Sequence, residues 1–519
     1  MDEFWKEQEK EIIMHGEQLN AVETCIDKHA QETPDKLALV FETEKNKTKA
    51  LTYKQLQKEV NKFANLLNKL KVKQNSRVFI FLPKVPESYI AFLGAIKHGS
   101  IPVPLFEAFQ EEGLELRLTR GEADVFVTNE ELSKRIPKDI KSKVPTLKNI
   151  LIIDSKEFKE QIKEASPEFE AVLKNKNDTM LMVFTSSTAG TPVAGIEISH
   201  YALIQQHFTA KYILDLNKKT NYWCTAHPGW VTGSVYGILA PLSVGCTIYI
   251  LESHFDAGRW IDFMKENKIS VIYTAPTALR MLKPEIKKSD LKSVRNICSV
   301  GEALNKSIFE FYKELGIEIN DTYWQTETGA IVIANANKMK KKSGSIGKAI
   351  SGIEADIKDG TIVIKPTWPG MMTGIYKHEK MYSEYFQDRL FVTNDLATKD
   401  EEGYFFFEGR KDDIIKTAGE RVSPVEIESI LLKHKAVKES AVIGIPDPMK
   451  GQIIKAFIVL NNDFQPSEQL KQELAMSVKE HYAGHSYPKI IEFIEALPKN
   501  NSGKIVRMKL REMENQKEK

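Results

Sequence analysis

The sequence predicts an α/β protein followed by a smaller α+β module of roughly 100 residues. Three observations predict it. Short apolar runs rich in β-branched and aromatic residues alternate with stretches of helical periodicity, the pattern of largely parallel sheets covered by helices. After about residue 350 the texture changes to hairpins and then to one compact strand–helix–strand segment. With 519 residues, the chain has room for roughly two to four domains.

In chain order, the N-terminal MDEFWKEQEKEIIMHGEQ is too charged for a secretory leader. Thr52-Tyr53-Lys54-Gln55 fits a capping box, after which Leu56, Val60, Phe63, Leu67 and Leu70 recur at helical spacing. RVFIFLP (residues 77–83) is a short strand ended by proline, and a helical stretch then runs to about Gly99. ADVFVT, NILIID, MLMVFT, CTIYIL, SVIYTA and NICSV read as further buried strands of the same alternation. EADIKDGTIVIK reads as a hairpin, and GYFFFEGRKDD as a strand ending in a charged turn. Ser423 caps a helix that has Pro424 in its first turn and Glu426 three residues on. Strand AVIGI, turn PDPMKG, strand QIIKAFIVL, a helix from about Glu468 to His481 and strand KIIEFI complete the module, and KIVRMKLREMENQKEK reads as a charged, solvated end. The boundary falls near Lys411-Asp412, dividing the chain into residues 1–411 and 412–519.

Hydrophobic residues make up 42% and charged residues 28%, the profile of a globular rather than a disordered chain. A net charge of +2 points to no polyanionic partner, and no apolar run approaches transmembrane length, so neither nucleic acid nor membrane is expected as a partner. The cysteines, Cys25, Cys224, Cys246 and Cys298, form no CxxC, and the last two lie in the apolar runs CTIYIL and NICSV, where they read as small buried hydrophobes. That usage suits the reducing cytoplasm.

Five polar segments interrupt the scaffold where strand patterns end, the places where open α/β sheets gather ligands. Thr185-Ser186-Ser187-Thr188-Ala189-Gly190-Thr191-Pro192 offers hydroxyls and glycine to a triphosphate without bulk; no Gly-Lys-Ser/Thr follows, so it is no Walker A loop, and a plain loop reads the same way. Asp321-Thr322-Tyr323-Trp324-Gln325-Thr326-Glu327-Thr328-Gly329 joins an aromatic pair, hydroxyls and one carboxylate able to hold Mg²⁺ beside phosphate oxygens; its plain alternative is a polar strand end with a buried Trp324. Thr393-Asn394-Asp395 and Gly409-Arg410-Lys411-Asp412-Asp413 pair an acid suited to ribose hydroxyls with an arginine suited to phosphate, or are two ordinary turns. Lys416-Thr417-Ala418-Gly419-Glu420-Arg421 and Asn501-Ser502-Gly503-Lys504-Ile505 each set a lysine beside glycine, where it can swing toward a developing anion; a solvated lysine is the ordinary alternative.

In this order and spacing the segments resemble the adenylate-forming family of acyl-CoA synthetases, peptide-synthetase adenylation domains and luciferases, over about residues 21–511. The likeness is nearest to bacterial AMP-forming acetyl-CoA synthetases, through WCTAHPGWVTGSVYGILAPL, YTAPTALRML, SVGEALN, DTYWQTETG, EGYFFFEGRKDDIIKTAGERVSPVEIE and VIGIPDPMKGQIIKAFIVL. The resemblance implies the adenylate-forming fold: a large N-terminal AMP-binding portion of two α/β subdomains plus a small β-barrel, and a small mobile α+β C-terminal domain hinged at Asp412. It implies ATP, Mg²⁺ and coenzyme A, a small carboxylate as substrate, and a thioester as product. Carried over by position, Thr185, Ser186, Thr188 and Gly190 would cradle phosphates, and Gly301, Glu302 and Ala303 would frame the adenine. Asp321, Thr322, Tyr323, Trp324 and Gln325 would line the nucleotide, with Thr326 at the α-phosphate and Glu327 on Mg²⁺. Asp395 would take the ribose hydroxyls and Arg410 ribose and phosphate; Arg421 would reach the α-phosphate side, and Lys504 would be the adenylation lysine. After rotation of the small domain, Ala418 and Gly419 would admit the pantetheine thiol, glycine suiting close passage because it lacks a Cβ.

By the same resemblance Val231, Thr232, Val300 and Trp324 line the acyl pocket. An indole closing its floor excludes long chains because overpacking is costly. Acetate is therefore the favoured acid, with propionate or a short branched acid next; an indole tilted aside would leave a larger pocket. A lysine acyltransferase and deacylase acting on Lys504 are conceivable partners, since acylation cancels the charge the first half-reaction needs.

The phosphate loop departs from the family: Ser187 stands for glycine, Ala189 for threonine and Val193-Ala194 for Lys-Gly, with one extra residue before a helix that begins near His200. Asn394 replaces the glycine before the ribose aspartate. Two readings follow: a working ligase, or a non-catalytic relative that binds nucleotide or acyl ligand. Retention of Glu327, Asp395, Arg410, Arg421 and Lys504 favours the ligase.

Overall fold

The computed structural model builds two parallel sheets from the helix-alternating strands, as the pattern predicts. The structure describes residues 3–43, 47–185, 194–336, 339–411, 413, 415–417, 420–447, 451–481, 487–499 and 505–517. Its largest sheet orders Asn320–Tyr323, Asn296–Ser299, Val271–Thr274, Asn221–Cys224, Thr247–Glu252 and Leu37–Thr43 side by side, all parallel. Antiparallel strands finish both edges, Thr48–Thr52 on one and Ile333–Ala334 with Lys348–Ala349 on the other. Strands such as VIYT (Val271–Thr274) and NICS (Asn296–Ser299) are buried along their whole length, so they show no alternation of buried and exposed positions. A second parallel sheet orders Ile101–Leu105, Arg77–Phe81, Val125–Thr128 and Asn149–Ile152.

Local signals place the helices. Thr52 and Gln55 close a full capping box on the helix Tyr53–Lys69, whose Leu56, Val60, Phe63 and Leu67 are buried. Ser423 accepts from the Glu426 backbone N–H at the start of Pro424–Leu431. The expected hairpin forms from Ala355–Lys358 and Thr361–Ile364 and joins Leu390–Lys399, Phe386–Gln387 and Phe405–Arg410 in an antiparallel sheet. Beyond it, Ile415–Thr417, Glu420–Val422, Val437–Asp447, Gly451–Leu460 and Ile490–Phe493 share one sheet with its own apolar core of Ile415, Val422, Ile427, Leu431, Ile454 and Leu474.

Two expectations need correction. The strand Thr179–Phe184 (TMLMVF) does not belong to the parallel alternation: it pairs antiparallel with Gly195–Ser199, and Thr185 N–H bonds to the Ala194 carbonyl at 3.2 Å. An antiparallel pair needs no crossover helix, so the chain returns directly after residues 186–193, and the first helix beyond is Ala202–Tyr212. The C-terminal tail is not simply solvated. It forms the helix Arg507–Lys517, docked through fully buried Leu510. Arg507 makes two 2.7 Å hydrogen bonds to the Glu428 carboxylate, and Arg511 pairs with Asp413 at 3.0 Å. One apolar side chain in a charged run is a weak sequence signal, but partly buried arginine–carboxylate pairs hold the helix down.

Candidate active site

The parallel strands of the largest sheet end on one side in Cys224, Thr274, Ser299 and Tyr323, and most of the sequence-predicted site residues lie at or just beyond those ends. Val300 N–H ties back to the Thr274 carbonyl at 3.2 Å, which fixes the start of the loop carrying Gly301, Glu302 and Ala303. Gly301 has φ +89°, and a Cβ there would meet nothing within 4 Å, so its backbone borders open space of the kind a planar base needs. Glu302 accepts a 2.6 Å hydrogen bond from Thr277 Oγ1, and its charge is felt by Arg507 of the C-terminal helix.

Asp321, Thr322 and Tyr323 are not loop residues; they form the buried strand Asn320–Tyr323 itself. Polar side chains survive there because Asp321, Thr322 and Tyr323 each have a hydrogen-bond partner. Ser299 Oγ donates to Asp321 Oδ1 at 2.5 Å, and burial still pushes the Asp321 carboxyl up to about 7. Thr322 Oγ1 donates to the Ser299 carbonyl at 2.8 Å. Tyr323 OH donates to Asp395 Oδ2 at 2.7 Å, linking this sheet to the antiparallel one.

Asp395 lies inside the long strand Leu390–Lys399 rather than after it, directly opposite Arg410 in register. Its Oδ2 also accepts from Gln325 Nε2 at 2.6 Å, while Arg410 Nη1 stands 3.3 Å from Oδ1. Oδ1 is buried and accepts no hydrogen bond among the described residues, which leaves it the oxygen suited to a ribose hydroxyl. Asn394 has φ +59°, so its backbone is left-handed. That is the conformation for which glycine is the default residue, and asparagine is among the few others that adopt it readily. The departure at Asn394 therefore preserves the bend that presents Asp395.

Trp324 follows the strand and is 9% exposed. Its Nε1 donates to Tyr273 OH at 3.0 Å, and the Tyr236 ring meets it edge-on at 5.0 Å and 78°. Val231 and Thr232 open the short helix Val231–Ser234, which leads straight into a π-helical turn, Val235–Leu239, carrying Tyr236. Val300 is buried at the end of the neighbouring strand Asn296–Ser299. These contacts pack the indole in and hold it.

After Trp324 the chain makes a tight turn. Gln325 N–H bonds to Thr328 Oγ1 at 2.9 Å, and Gly329 N–H to the Thr326 carbonyl at 3.1 Å. Gly329 has φ +64°, and a Cβ would lie 1.8 Å from the Gly370 carbonyl oxygen, so only glycine closes it. Thr326 and Glu327 ride on this turn. Tyr385 OH donates to Glu327 Oε1 at 3.0 Å; burial raises the Glu327 carboxyl, and the Tyr385 hydrogen bond opposes that rise. Among the described residues no group of three His, Cys, Asp or Glu side chains gathers as a metal site. One carboxylate steadied by one phenol fits Mg²⁺ only where phosphate oxygens and water complete the shell.

Ser186, Thr188, Gly190, Asp412, Ala418, Gly419 and Lys504 lie outside the described residues, as do Ser187, Ala189 and Val193 of the altered loop. Thr185 closes the strand before that loop, and Lys499 and Ile505 bracket residues 500–504 through an antiparallel bridge. Of Arg421 the backbone is described, in Glu420–Val422 opposite Lys416; its side chain is not. Three residues that sequence reasoning missed hold site groups in place: Tyr273 and Tyr236 on Trp324, and Tyr385 on Glu327. Tyr273 lies in a strand already read as buried, and a buried tyrosine needs a partner for its hydroxyl; that was the one available signal.

Residues 26–372 match the family model described as AMP-binding enzyme, and residues 426–504 match the AMP-binding enzyme C-terminal domain. Acetyl-coenzyme A synthetase of Bacillus subtilis (strain 168) is 42% identical over 523 residues, covering 96% of this chain and 91% of that protein. Acetyl-coenzyme A synthetase of Methanothrix thermoacetophila is 36% identical over 544 residues, covering 95% and 82%. Among solved structures, an anthranilate CoA ligase in complex with anthranoyl-AMP superposes with a TM-score of 0.88 at 27% identity, covering 96% of this chain and 97% of that one. Among the described residues no helix is long and apolar enough to cross a membrane.

Proposed function

Because this chain belongs to the AMP-binding enzyme family, as an AMP-forming acyl-CoA synthetase related to acetyl-coenzyme A synthetases, we propose that its acid is acetate, with propionate or a short branched acid next. The observation that carries this reading is the held indole of Trp324. A rigid side chain at the floor of an acyl pocket costs a longer acid either overlap or repacking.

The chemistry divides into two steps. A carboxylate resists attack by a thiol, so one of its oxygens first bonds to the α-phosphorus of ATP, the bond from that phosphorus to the bridging oxygen breaks, and pyrophosphate departs with its electron pair. The thiol of coenzyme A then gives up its proton to solvent as its sulfur bonds to the acyl carbon of the mixed anhydride, the bond from that carbon to the phosphate oxygen breaks, and AMP leaves. The first step spreads charge over phosphate oxygens, so positioning and fixed cations carry it. In this assignment Gly301, Glu302 and Ala303 frame the base, Asp395 Oδ1 takes a ribose hydroxyl, and Arg410, already beside Asp395, extends to ribose and phosphate. Thr326 reaches the α-phosphate from its rigid turn, with Arg421 and Lys504 on the same side. Thr185, Ser186, Thr188 and Gly190 border the outer phosphates. Mg²⁺, held by Glu327, would supply neutralisation of phosphate charge. We place the hinge at Asp412, between an N-terminal domain of residues 1–411 and a C-terminal domain of residues 412–519, with Ala418 and Gly419 facing the thiol once Lys504 has withdrawn.

The test is acid-dependent release of pyrophosphate from ATP, followed by thioester formation on adding coenzyme A. Lys504→Ala is expected to abolish the first step yet spare thiolysis of supplied acetyl-adenylate. ATP binding without turnover of any acid would overturn the ligase in favour of the non-catalytic reading, and equal loss of both steps in Lys504→Ala would contradict the two-position mechanism.

A further inference from the structure

We propose that Tyr273, seconded by Tyr236, is a specificity-positioning residue: it fixes the indole of Trp324 and thereby sets the chain-length limit of the acyl pocket. The inference rests on the reading of Trp324 as the pocket floor.

Proton bookkeeping around Trp324 has one solution. An indole N–H can only donate, so in the 3.0 Å contact Tyr273 OH accepts. The phenol proton must then go to Thr322 Oγ1, 2.8 Å away. Thr322 in turn gives its own proton to the Ser299 carbonyl at 2.8 Å. The series runs one way, from indole through phenol and threonine to backbone, and ends on a strand fixed in the sheet. Tyr273 is fully buried in the strand Val271–Thr274, and burial keeps its phenol protonated. An indole turning about its side-chain bonds would leave a buried N–H without an acceptor, which is costly.

Tyr236 closes the other side. Its OH accepts from the Ile331 N–H at 2.9 Å and donates to Thr209 Oγ1 at 2.8 Å, which donates to the Gln205 carbonyl at 2.7 Å. With its hydroxyl so tied, its ring stands edge-on to Trp324 and also to Tyr273, at 5.5 Å and 81°. Tyr236 sits in the π-helical turn directly after Val231 and Thr232, so the element carrying one pocket wall also braces the floor. Such turns concentrate at functional sites.

Tyr273→Phe in the full chain keeps the ring and removes the acceptor, while Thr322 keeps its bond to Ser299. One methylene in an apolar pocket is discriminated by roughly 10–200-fold, so an indole freed to move should lower the acetate-over-propionate ratio of kcat/KM by about tenfold. The change is expected in KM for the two acids, with kcat on saturating acetate and KM for ATP near the parent values. Trp324→Gly is assayed alongside. A lower ratio in both variants supports the clamp. Admission of longer acids by Trp324→Gly with an unchanged ratio in Tyr273→Phe overturns the clamp and leaves the pocket reading intact, as does a loss of activity on every acid alike. Failure of Trp324→Gly to admit longer acids overturns the pocket reading and the clamp with it. If Tyr273→Phe does not accumulate as folded protein, Tyr236→Leu, which removes the second ring from the indole, carries the test: the same fall in ratio is expected, and an unchanged ratio overturns the proposal.

Discussion

Asp395→Asn separates charge from shape at the point where two sheets and the nucleotide assignment meet. Asp395 is 5% exposed; its Oδ2 accepts from Tyr323 OH at 2.7 Å and Gln325 Nε2 at 2.6 Å, and its Oδ1 forms an ion pair with Arg410 Nη1 at 3.3 Å. An amide fills the same volume but cannot satisfy that set. With its oxygen toward Tyr323 and Gln325, the NH₂ faces the Arg410 guanidinium; turned over, the NH₂ faces two donors. Either way the bonds that remain lose their charge assistance. Hydrogen bonds to a charged group contribute roughly 1.5–3 kcal/mol and neutral ones about 1, so two weakened bonds and a lost arginine contact come to about 3 kcal/mol. These bonds order the site before ATP arrives; where binding must restore that order, the loss in affinity for ATP reaches roughly a hundredfold, at about 1.4 kcal/mol per tenfold. The assay is acetate-dependent AMP formation over a range of ATP concentrations, with the thermal midpoint as a control for folding. A fall in kcat/KM for ATP of about a hundredfold, carried mainly by KM, is expected. A change smaller than about threefold in folded protein would refute the view that Asp395 organises the nucleotide site.

Two further outcomes are expected. Tyr385→Phe removes the hydrogen bond that holds the Glu327 carboxyl down against burial, so its ionisation moves to higher pH. Burial has raised this carboxyl, so its ionised form is lost as pH falls through the raised value; the acid limb of kcat/KM for Mg²⁺-ATP should therefore shift to higher pH, and an unmoved limb would contradict a role for Glu327 at the metal. At Asn394, φ +59° makes Asn394→Gly close to neutral, whereas Asn394→Val should cost about 1–2 kcal/mol. Denaturant midpoints read that cost, and a harmless valine would show that the left-handed bend is not required.

The parallel strands were legible because strands buried on both faces leave short runs rich in apolar residues with no exposed alternation, as in VIYT. The helix starts at Thr52 and Ser423 were legible because capping chemistry is local. The antiparallel partner of Thr179–Phe184 was not, because pairing across residues 186–193 is decided by register rather than composition. The C-terminal helix was missed for a related reason. Its anchors, Arg507 on Glu428 and Arg511 on Asp413, are tens of residues apart in sequence, and a charged helix held by distant carboxylates looks like a solvated tail until those carboxylates are in place. In the site, the segment around Trp324 stood out by its chemistry, but Tyr273 and Tyr385 act through hydroxyls 51 and 58 positions away, which no spacing rule reaches. Asn394 illustrates the converse. Read as a broken motif in one dimension, it is the same left-handed backbone reached by another residue.

The central claim is that a held indole makes this ligase select a short acid. Thioester formation with coenzyme A, measured as kcat/KM over the straight-chain acids from acetate to octanoate, tests it most directly. The expected profile is highest at acetate, falls by roughly 10-fold or more at each of the first added methylenes, and reaches background by hexanoate. A profile that rises with chain length, or that peaks at hexanoate or beyond, would contradict it.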